Sequence, residues 1–389
     1  MGFAVSTIFV DAIGIGLIFP IMPDLLADLG ITDVSDAALY GAALASVYAV
    51  MQFLFLPILG NVSDHVGRRP VLLIGIAALF IDYLVMGFAG SFALLFIGRL
   101  VAGIAGATVA TATSYIADFS APEDRAQNFG MIGATFGVGF IVGPALGGVL
   151  GAVDVRLPFF AAAGFSGLNF LFGVFFLPES LMPEKRRKFT WQRANPFKAL
   201  TRAVTDRSLR RLIFVVFCMM LAGYVYPAVW SFYGKEKFGW TTDIIGYSLA
   251  GYGLGVAFVQ GVLIRWLLPR LGESRVVRLG IISIIVAMVG IAFSIHTWMI
   301  FAMILLAALG EIAGPAINGM LSKLVSDGEQ GDLQGVLGSI ESLAAVVSPP
   351  IFALIFKVFS DGEGIYLPGA PFLLAALITG VALLAFQRQ

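Results

Sequence analysis

The sequence predicts an all-α membrane protein of twelve transmembrane helices in two pseudo-symmetric six-helix bundles. Of its 389 residues, 59% are hydrophobic and 12% charged, with a mean hydropathy of +0.94; soluble domains carry about a quarter charged residues. Twelve apolar stretches are long enough to span a hydrocarbon layer, which takes about 20 helical residues. Shifting the chain by 205 residues superposes Gly41 on Gly246, Gly67 on Gly272, Gly75 on Gly280, Gly130 on Gly335, Gly133 on Gly338 and Pro144 on Pro349. A series this evenly spread marks a parallel repeat of six helices.

The first six spans run over Phe3 to Met22, Ala37 to Leu59, Val71 to Phe88, Phe92 to Ala117, Gln127 to Leu150 and Leu157 to Leu177. The amino terminus has no basic residue before its apolar run and carries Asp11 within it, so it reads as a spanning helix and not a cleaved signal. The second six cover Leu212 to Phe232, Ile244 to Leu268, Val276 to Ile295, Trp298 to Val325, Gln334 to Phe359 and Phe372 to Phe386. Residues 1–178 and 212–389 are thus the two bundles, joined by a polar loop over 179–211. That loop reads as a tether, with Asn195 to Val204 as an interfacial helix.

Alternating the connections between two sides puts 18 basic residues on the side of the central loop and four on the other, with Arg99 and Arg265 inside helices. This bias predicts that both termini and the central loop are cytoplasmic. The single cysteine, Cys218, excludes an internal disulfide, and the distant His65 and His296 leave no zinc cluster. No metal, cofactor or nucleic acid is expected, and without a Ser/His pairing an intramembrane enzyme is disfavoured.

Between helices 2 and 3, Gly60-Asn-Val-Ser-Asp-His-Val-Gly-Arg-Arg-Pro70 reads as a polar turn. Asp64, Arg68 and Arg69 can form charge-assisted hydrogen bonds there, while Gly60 and Gly67 permit close backbone approach. Gly139, Gly143, Gly147 and Gly151 recur every four residues along helix 5, stripping one face of side chains, and Pro144 adds a bend. Four carboxylates lie inside apolar spans: Asp11, Asp82, Glu311 and Glu341. Each costs a few kcal/mol at a membrane centre and should face a cavity or a partner. Their protonation changes with their surroundings, because burial favours the neutral acid and a nearby cation the carboxylate. Arg99 lies close enough to its helix end to snorkel, yet in Gly98-Arg-Leu-Val-Ala-Gly-Ile-Ala-Gly106 a functional role is the stronger reading. Gly310-Glu-Ile-Ala-Gly-Pro315 joins Glu311 to a helix interruption.

Tyr224 and Tyr226 are deep enough in helix 7 to line a substrate pocket, with Gln52 and Asn318 added to it; Trp230 and Tyr233 are assigned to the interfacial aromatic belt. The glycines of Gly251-Tyr-Gly-Leu-Gly255 lie inside a spanning helix with no preceding strand, so they are not a dinucleotide site.

The ordering Gly-x-x-x-Asp-x-x-Gly-Arg-Arg resembles the signature loop of the major facilitator superfamily, and Gly143-Pro-Ala-Leu-Gly-Gly148 resembles the helix 5 motif of its antiporters. With Asp11 to Pro23, Ile81-Asp-Tyr83, Gly98 to Gly103, Tyr115-Ile-Ala-Asp118, Glu123-Asp-Arg125 and Gln330 to Gly335, the chain is similar to the bacterial tetracycline-resistance branch along nearly its whole length. The resemblance implies a substrate site between the bundles and a glycine stripe at their moving interface. It also implies proton coupling through Asp11, Asp82 and Arg99, and gating by Asp64, Arg68, Arg69, Asp118 and Arg125. That branch has an acid in helix 9, where Val276 to Ile295 has none; Glu311 and Glu341 are expected to substitute. The function expected is proton-driven export of an amphipathic compound by a monomer in the inner membrane. The alternative is a proton symporter or facilitator for a small metabolite.

Overall fold

The computed structural model describes residues 2–106, 108–120, 125–191, 195, 209–326, 330–362 and 364–387, with the side chains of 125–127, 129, 185, 331 and 332 outside the description. The Arg125 side chain and most of the expected interfacial helix therefore lie outside the description. Among those described there is no strand, and twelve helices are long and apolar enough to cross a membrane. They are α1 Gly2–Asp28, α2 Val34–Val66, α3 Arg68–Phe88, α4 Phe92–Phe119, α5 Arg125–Val153, α6 Leu157–Phe176, α7 Arg210–Phe238, α8 Thr242–Leu271, α9 Glu273–Phe293, α10 Thr297–Ser322, α11 Gln330–Val358 and α12 Ala370–Gln387.

The stretch expected as a turn from Gly60 to Pro70 is almost entirely helical. α2 continues to Val66, α3 begins at Arg68, and only Gly67 lies outside a helix, at φ +117°. A conformation available to glycine lets the chain reverse in one residue. Spanning the hydrocarbon takes about 20 residues, so the 33-residue α2 carries its polar end past it.

Three spans are interrupted, each for a local reason. In α10 the helix stops at Glu311 and restarts at Ala313; Pro315 cannot donate to the Glu311 carbonyl four residues back. In α7, Pro227 leaves the Gly223 carbonyl without its donor, and the helix breaks at Tyr224. In α4 the break falls at Gly106, three residues after Gly103, where helix propensity is low. α8 instead contains a π turn over Val259–Leu263.

The repeat seen in the sequence recurs in the backbone. A shift of 205 carries Arg68–Phe88 onto Glu273–Phe293, Arg125–Val153 onto Gln330–Val358, and the break at Gly106 onto that at Glu311. Gly67 falls on Gly272, whose φ is also positive, at +76°.

The helices form two compact units, one of Met1–Gly30, Val47–Pro196 and Thr241–Ala250, the other of Ile31–Ser46, Phe197–Trp240 and Gly251–Gln389. In the first, Phe3, Ile8, Leu72, Ile76 and Tyr115 form one core cluster and Ile13, Leu17, Leu79 and Tyr83 another. Its tightest packing is α5 on α1. A Cβ at Gly139 or Gly143 would come within 2.6 Å of Ala12 Cβ or the Ile13 carbonyl oxygen respectively, and one at Gly147 within 2.5 Å of the Leu17 carbonyl oxygen. Lipid tails are as apolar as the helices, so this close backbone contact is what holds such a pair together. The stripe expected at an interface between bundles thus lies against α1 of the same unit. The adjacent Gly148 meets Gly246, and Thr242 donates to Asp24 at 2.5 Å. The second unit has a core of Leu212, Val276, Ile281, Ile317, Leu337 and Phe386, and pairs Lys357 with Asp36 at 2.6 Å.

Candidate functional site

In the first unit, Asp82 of α3 forms an ion pair with Arg99 of α4, the carboxylate being only 3% exposed. Gly98 makes the approach possible, since a Cβ there would sit 3.0 Å from Val85 and 3.2 Å from Asp82 Oδ1. Arg99 therefore does not snorkel. Its guanidinium also lies 5.3 Å from the Tyr48 ring centroid, a cation–π contact across to α2. Asp11, 6% exposed on α1, has no hydrogen bond or ion pair among the described residues. Tyr48 and Tyr83 both lie within its electrostatic reach, and Tyr83 lays its hydroxyl edge against the side-chain-free Gly14. Gln52 donates to the Gly106 carbonyl at 3.1 Å, satisfying an acceptor freed by the break in α4. The structure thus brings Asp82 to Arg99 and leaves Asp11 without a hydrogen-bond or ion-pair partner among the described residues.

The second unit holds a partly open pocket of about 350 Å³ whose lining includes Tyr224, Tyr226, Glu311, Asn318 and Glu341. Four of these five were read from sequence on separate grounds and the fifth, Asn318, as a polar residue of the same pocket. Tyr252 was missed. It donates to Glu311 Oε1 at 2.8 Å and stacks on Tyr226, with ring centroids 5.8 Å apart and planes 24° from parallel. Trp230 and Tyr233 are not belt residues. They are 3% and 0% exposed, clustered around Phe372, and the Tyr233 hydroxyl donates to the Ile291 carbonyl at 2.5 Å.

At the α2–α3 reversal, Arg68 meets Asp64 at 2.6 Å, Ser63 at 2.6 Å and Asp118 of α4 at 3.3 Å, and Ser180 donates to the same Asp118 oxygen at 2.8 Å. Arg69 does not join Asp64 but donates to the Val174 carbonyl at the end of α6, at 2.8 Å. Gly60 faces open space, so no close approach depends on it, whereas a Cβ at Gly67 would strike the Glu179 carboxylate. Glu179 accepts the backbone N–H groups of Arg68 at 2.8 Å and Arg69 at 3.2 Å, capping α3 with a negative charge. The segment after it runs back along α2: Arg187 N–H donates to the Asp64 carbonyl at 2.9 Å and Asn61 to the Thr190 carbonyl at 2.7 Å. The start of the central loop is therefore a strap and not a slack tether.

The second unit carries the same pair with its charges exchanged. Positions 68 and 118, Arg and Asp, map by the 205 shift onto 273 and 323, Glu and Lys, and these meet at 2.7 Å. The sequence shows Gly272 retained there but no Arg pair or Asp, which hides the preserved contact.

The family model of the Major Facilitator Superfamily matches residues 4–311 and 212–388. The chain belongs to the major facilitator superfamily. It is 42% identical to the class C tetracycline resistance protein of Escherichia coli, over 90% of this chain and 88% of the relative, and 35% identical to the class B protein of the same species, over 89% and 86%. The quinolone resistance protein NorA of Staphylococcus aureus is 24% identical over 98% of this chain and 95% of its own. Among solved structures of the facilitator fold, the human organic anion transporter MFSD10 superposes with a TM-score of 0.74 at 24% identity, covering 99% of this chain and 98% of that one. The nucleoside transporter NupG also gives 0.74, at 15% identity, covering 100% of this chain and 99% of its own. This facilitator is an integral multi-pass membrane protein, and among the described residues no group of three or more His, Cys, Asp or Glu could hold a metal ion.

Proposed function

We propose that this facilitator exports an amphipathic, drug-like compound in exchange for protons, by alternating access. The observation that carries the reading is a set of acids within spanning helices that have different partners, Asp11 and Asp82 buried and Glu311 and Glu341 lining a pocket. Asp82 is held by Arg99, Asp11 is unpaired, Glu311 is held by Tyr252, and Glu341 faces the cavity. A membrane-buried acid is costly unless it serves transport or is neutralised. Asp82 and Asp11 carry the proton, with Arg99 competing for Asp82; when hydration of the site changes, the carboxylate exchanges the arginine for a proton. Asp64, Arg68, Arg69 and Asp118 govern access from the cytoplasmic side, and Arg125 belongs with them. The 18-to-4 distribution of basic residues supports cytoplasmic termini in the inner membrane. The 35–42% identity to tetracycline resistance proteins supports tetracycline as the first compound to test, with a single chain as the working unit.

The test is tetracycline transport in proteoliposomes under an imposed pH gradient. Uphill movement that collapses when the gradient is dissipated is the expected result, and Asp82→Asn should abolish it while sparing downhill exchange. Uphill transport undiminished in both Asp82→Asn and Asp11→Asn would overturn the assignment of the proton carriers.

A further inference from the structure

One face of α8 ends in an uncovered patch of aromatic and cationic side chains. Leu254, Phe258, Val262 and Trp266 recur every four residues and are each 57–61% exposed. Tyr252 points into the pocket, and Leu254 lies about 200° further round the helix, so this stripe faces away from the interior of the unit, toward lipid. In an α-helix such a spacing drifts by about 40° per step. The π turn over Val259–Leu263 is wider, which offsets the drift and keeps Trp266 on the stripe. One turn further on, the Arg270 guanidinium lies 3.8 Å from the Trp266 ring centroid, which fixes a cation at the edge of the apolar surface. Across the one-residue reversal at Gly272, α9 repeats the pattern, with exposed Arg275 and Arg278 preceding exposed Leu279, Ile282 and Val286.

Arg270, Arg275 and Arg278 have no carboxylate partner among the described residues; Glu273, the acid that lies between them, is taken by Lys323 at 2.7 Å. Arg278 donates its Nε–H to the Ser274 carbonyl at 3.2 Å. The first unit shows a covered version of the same place. Shifted by 205 residues, Trp266 and Arg270 fall on Asn61 and His65. There the strap lies over the helix: Asn61 is buried beneath the Thr190 carbonyl, and His65 Nδ1 is 3.3 Å from the Arg187 carbonyl oxygen. In the second unit no described segment takes that position, and the amide and imidazole are replaced by an indole and a guanidinium.

We propose that the α8–α9 reversal binds an anionic phospholipid from the leaflet on the side of the central loop, its phosphate held by Arg270, Arg275 and Arg278 and its acyl chains along Phe258 and Val262. Guanidinium groups match phosphate oxygens two at a time, and tryptophan is favoured at headgroup depth. A zwitterionic lipid offers the same chains and phosphate, but its ammonium is repelled by the three arginines. The proposal does not depend on the exporter reading, and no transport enters its test.

The test is native mass spectrometry of the purified full chain, titrated with phosphatidylglycerol or with phosphatidylcholine of the same acyl chains. An arginine beside an anionic lipid surface is worth about fivefold in affinity. The Arg270→Gln, Arg275→Gln, Arg278→Gln triple variant should therefore weaken phosphatidylglycerol at least tenfold and leave phosphatidylcholine unchanged. A control triple, Arg186→Gln, Arg187→Gln, Lys188→Gln, removes as many exposed charges on the same side and should change phosphatidylglycerol less than twofold. Thermal melting shows that each variant is folded, and phosphatidylglycerol should raise the melting temperature of the wild type but not that of the site triple. If the site triple does not fold, Arg270→Gln alone, expected to lose about fivefold, is set against the control. Phosphatidylcholine bound as tightly as phosphatidylglycerol, undiminished phosphatidylglycerol binding in the site variants, or an equal loss in the control would overturn the proposal.

Discussion

Neutralising Asp82 leaves the Arg99 guanidinium in a protein interior with only the Tyr48 ring to answer its charge. Breaking a buried ion pair from one side costs about 3–5 kcal/mol, whereas removing both charges together is close to neutral. The Tyr48 contact offsets about 0.5–2 kcal/mol of the first figure and is itself lost when Arg99 is replaced. Asp82→Asn should therefore lower stability by about 1–4.5 kcal/mol, and the Asp82→Asn, Arg99→Gln double variant by about 0.5–2 kcal/mol. Arg99→Gln alone should fall between them, because the abandoned carboxyl can take up a proton and the guanidinium cannot discharge. Denaturant titration of the wild type, both single variants and the double variant in one detergent gives the full cycle. A double variant as unstable as the sum of the singles would refute the ion pair as the organising contact of this site.

Two further predictions follow from backbone packing. Gly143→Leu places a side chain where even a Cβ would lie 2.6 Å from the Ile13 carbonyl oxygen and 2.9 Å from Gly16 Cα, so α1 must move. Overpacking of this kind costs about 1–3 kcal/mol, and proteoliposome transport should fall at least tenfold; an unchanged rate would show that the α1–α5 contact need not be preserved for turnover. Glu179→Ala removes the acceptor for the Arg68 and Arg69 N–H groups and should cost about 0.5–2 kcal/mol, while Glu179→Gln keeps one acceptor oxygen for one of the two N–H groups and loses the charge. Faster tryptic cleavage at Arg186 and Arg187 in the alanine variant is the direct readout, and cleavage at the wild-type rate would mean that the strap does not depend on the cap.

The elements legible in the sequence are those with a one-dimensional signal. Apolar length gave the spans, and Pro315 beside Glu311 gave the break in α10. The break at Gly106 has no proline to mark it, yet the 205-residue repeat points to it once the break at Glu311 is known. Helical facing was harder to read. Trp230 and Tyr233 were misassigned because distance from a helix end says nothing about which way a ring turns. Tyr48 and Tyr252 were missed, and Tyr83 was named only within a motif and given no role, because an uncharged tyrosine in an apolar run has no distinguishing composition; Tyr252 was further masked by its flanking glycines. Glu179 went unnoticed because a polar loop gives no hint in sequence that it folds back onto α2.

The exchanged pairs, Arg68 with Asp118 and Lys323 with Glu273, also bear on how duplicated halves diverge. A route between the two arrangements that replaces one charge by its opposite at a time, with no neutral residue in between, passes through a pair of like charges. Where Lys323 is 69% exposed and Glu273 28%, water and salt screen that intermediate. Its cost is about 1 kcal/mol or less, small enough for drift to cross in either order. The same inversion at Asp82 and Arg99 would pass through two like charges buried together, a barrier of several kcal/mol. Solvent exposure thus decides which contacts a duplicated bundle can re-sign by mutation and which are locked in the half where they arose.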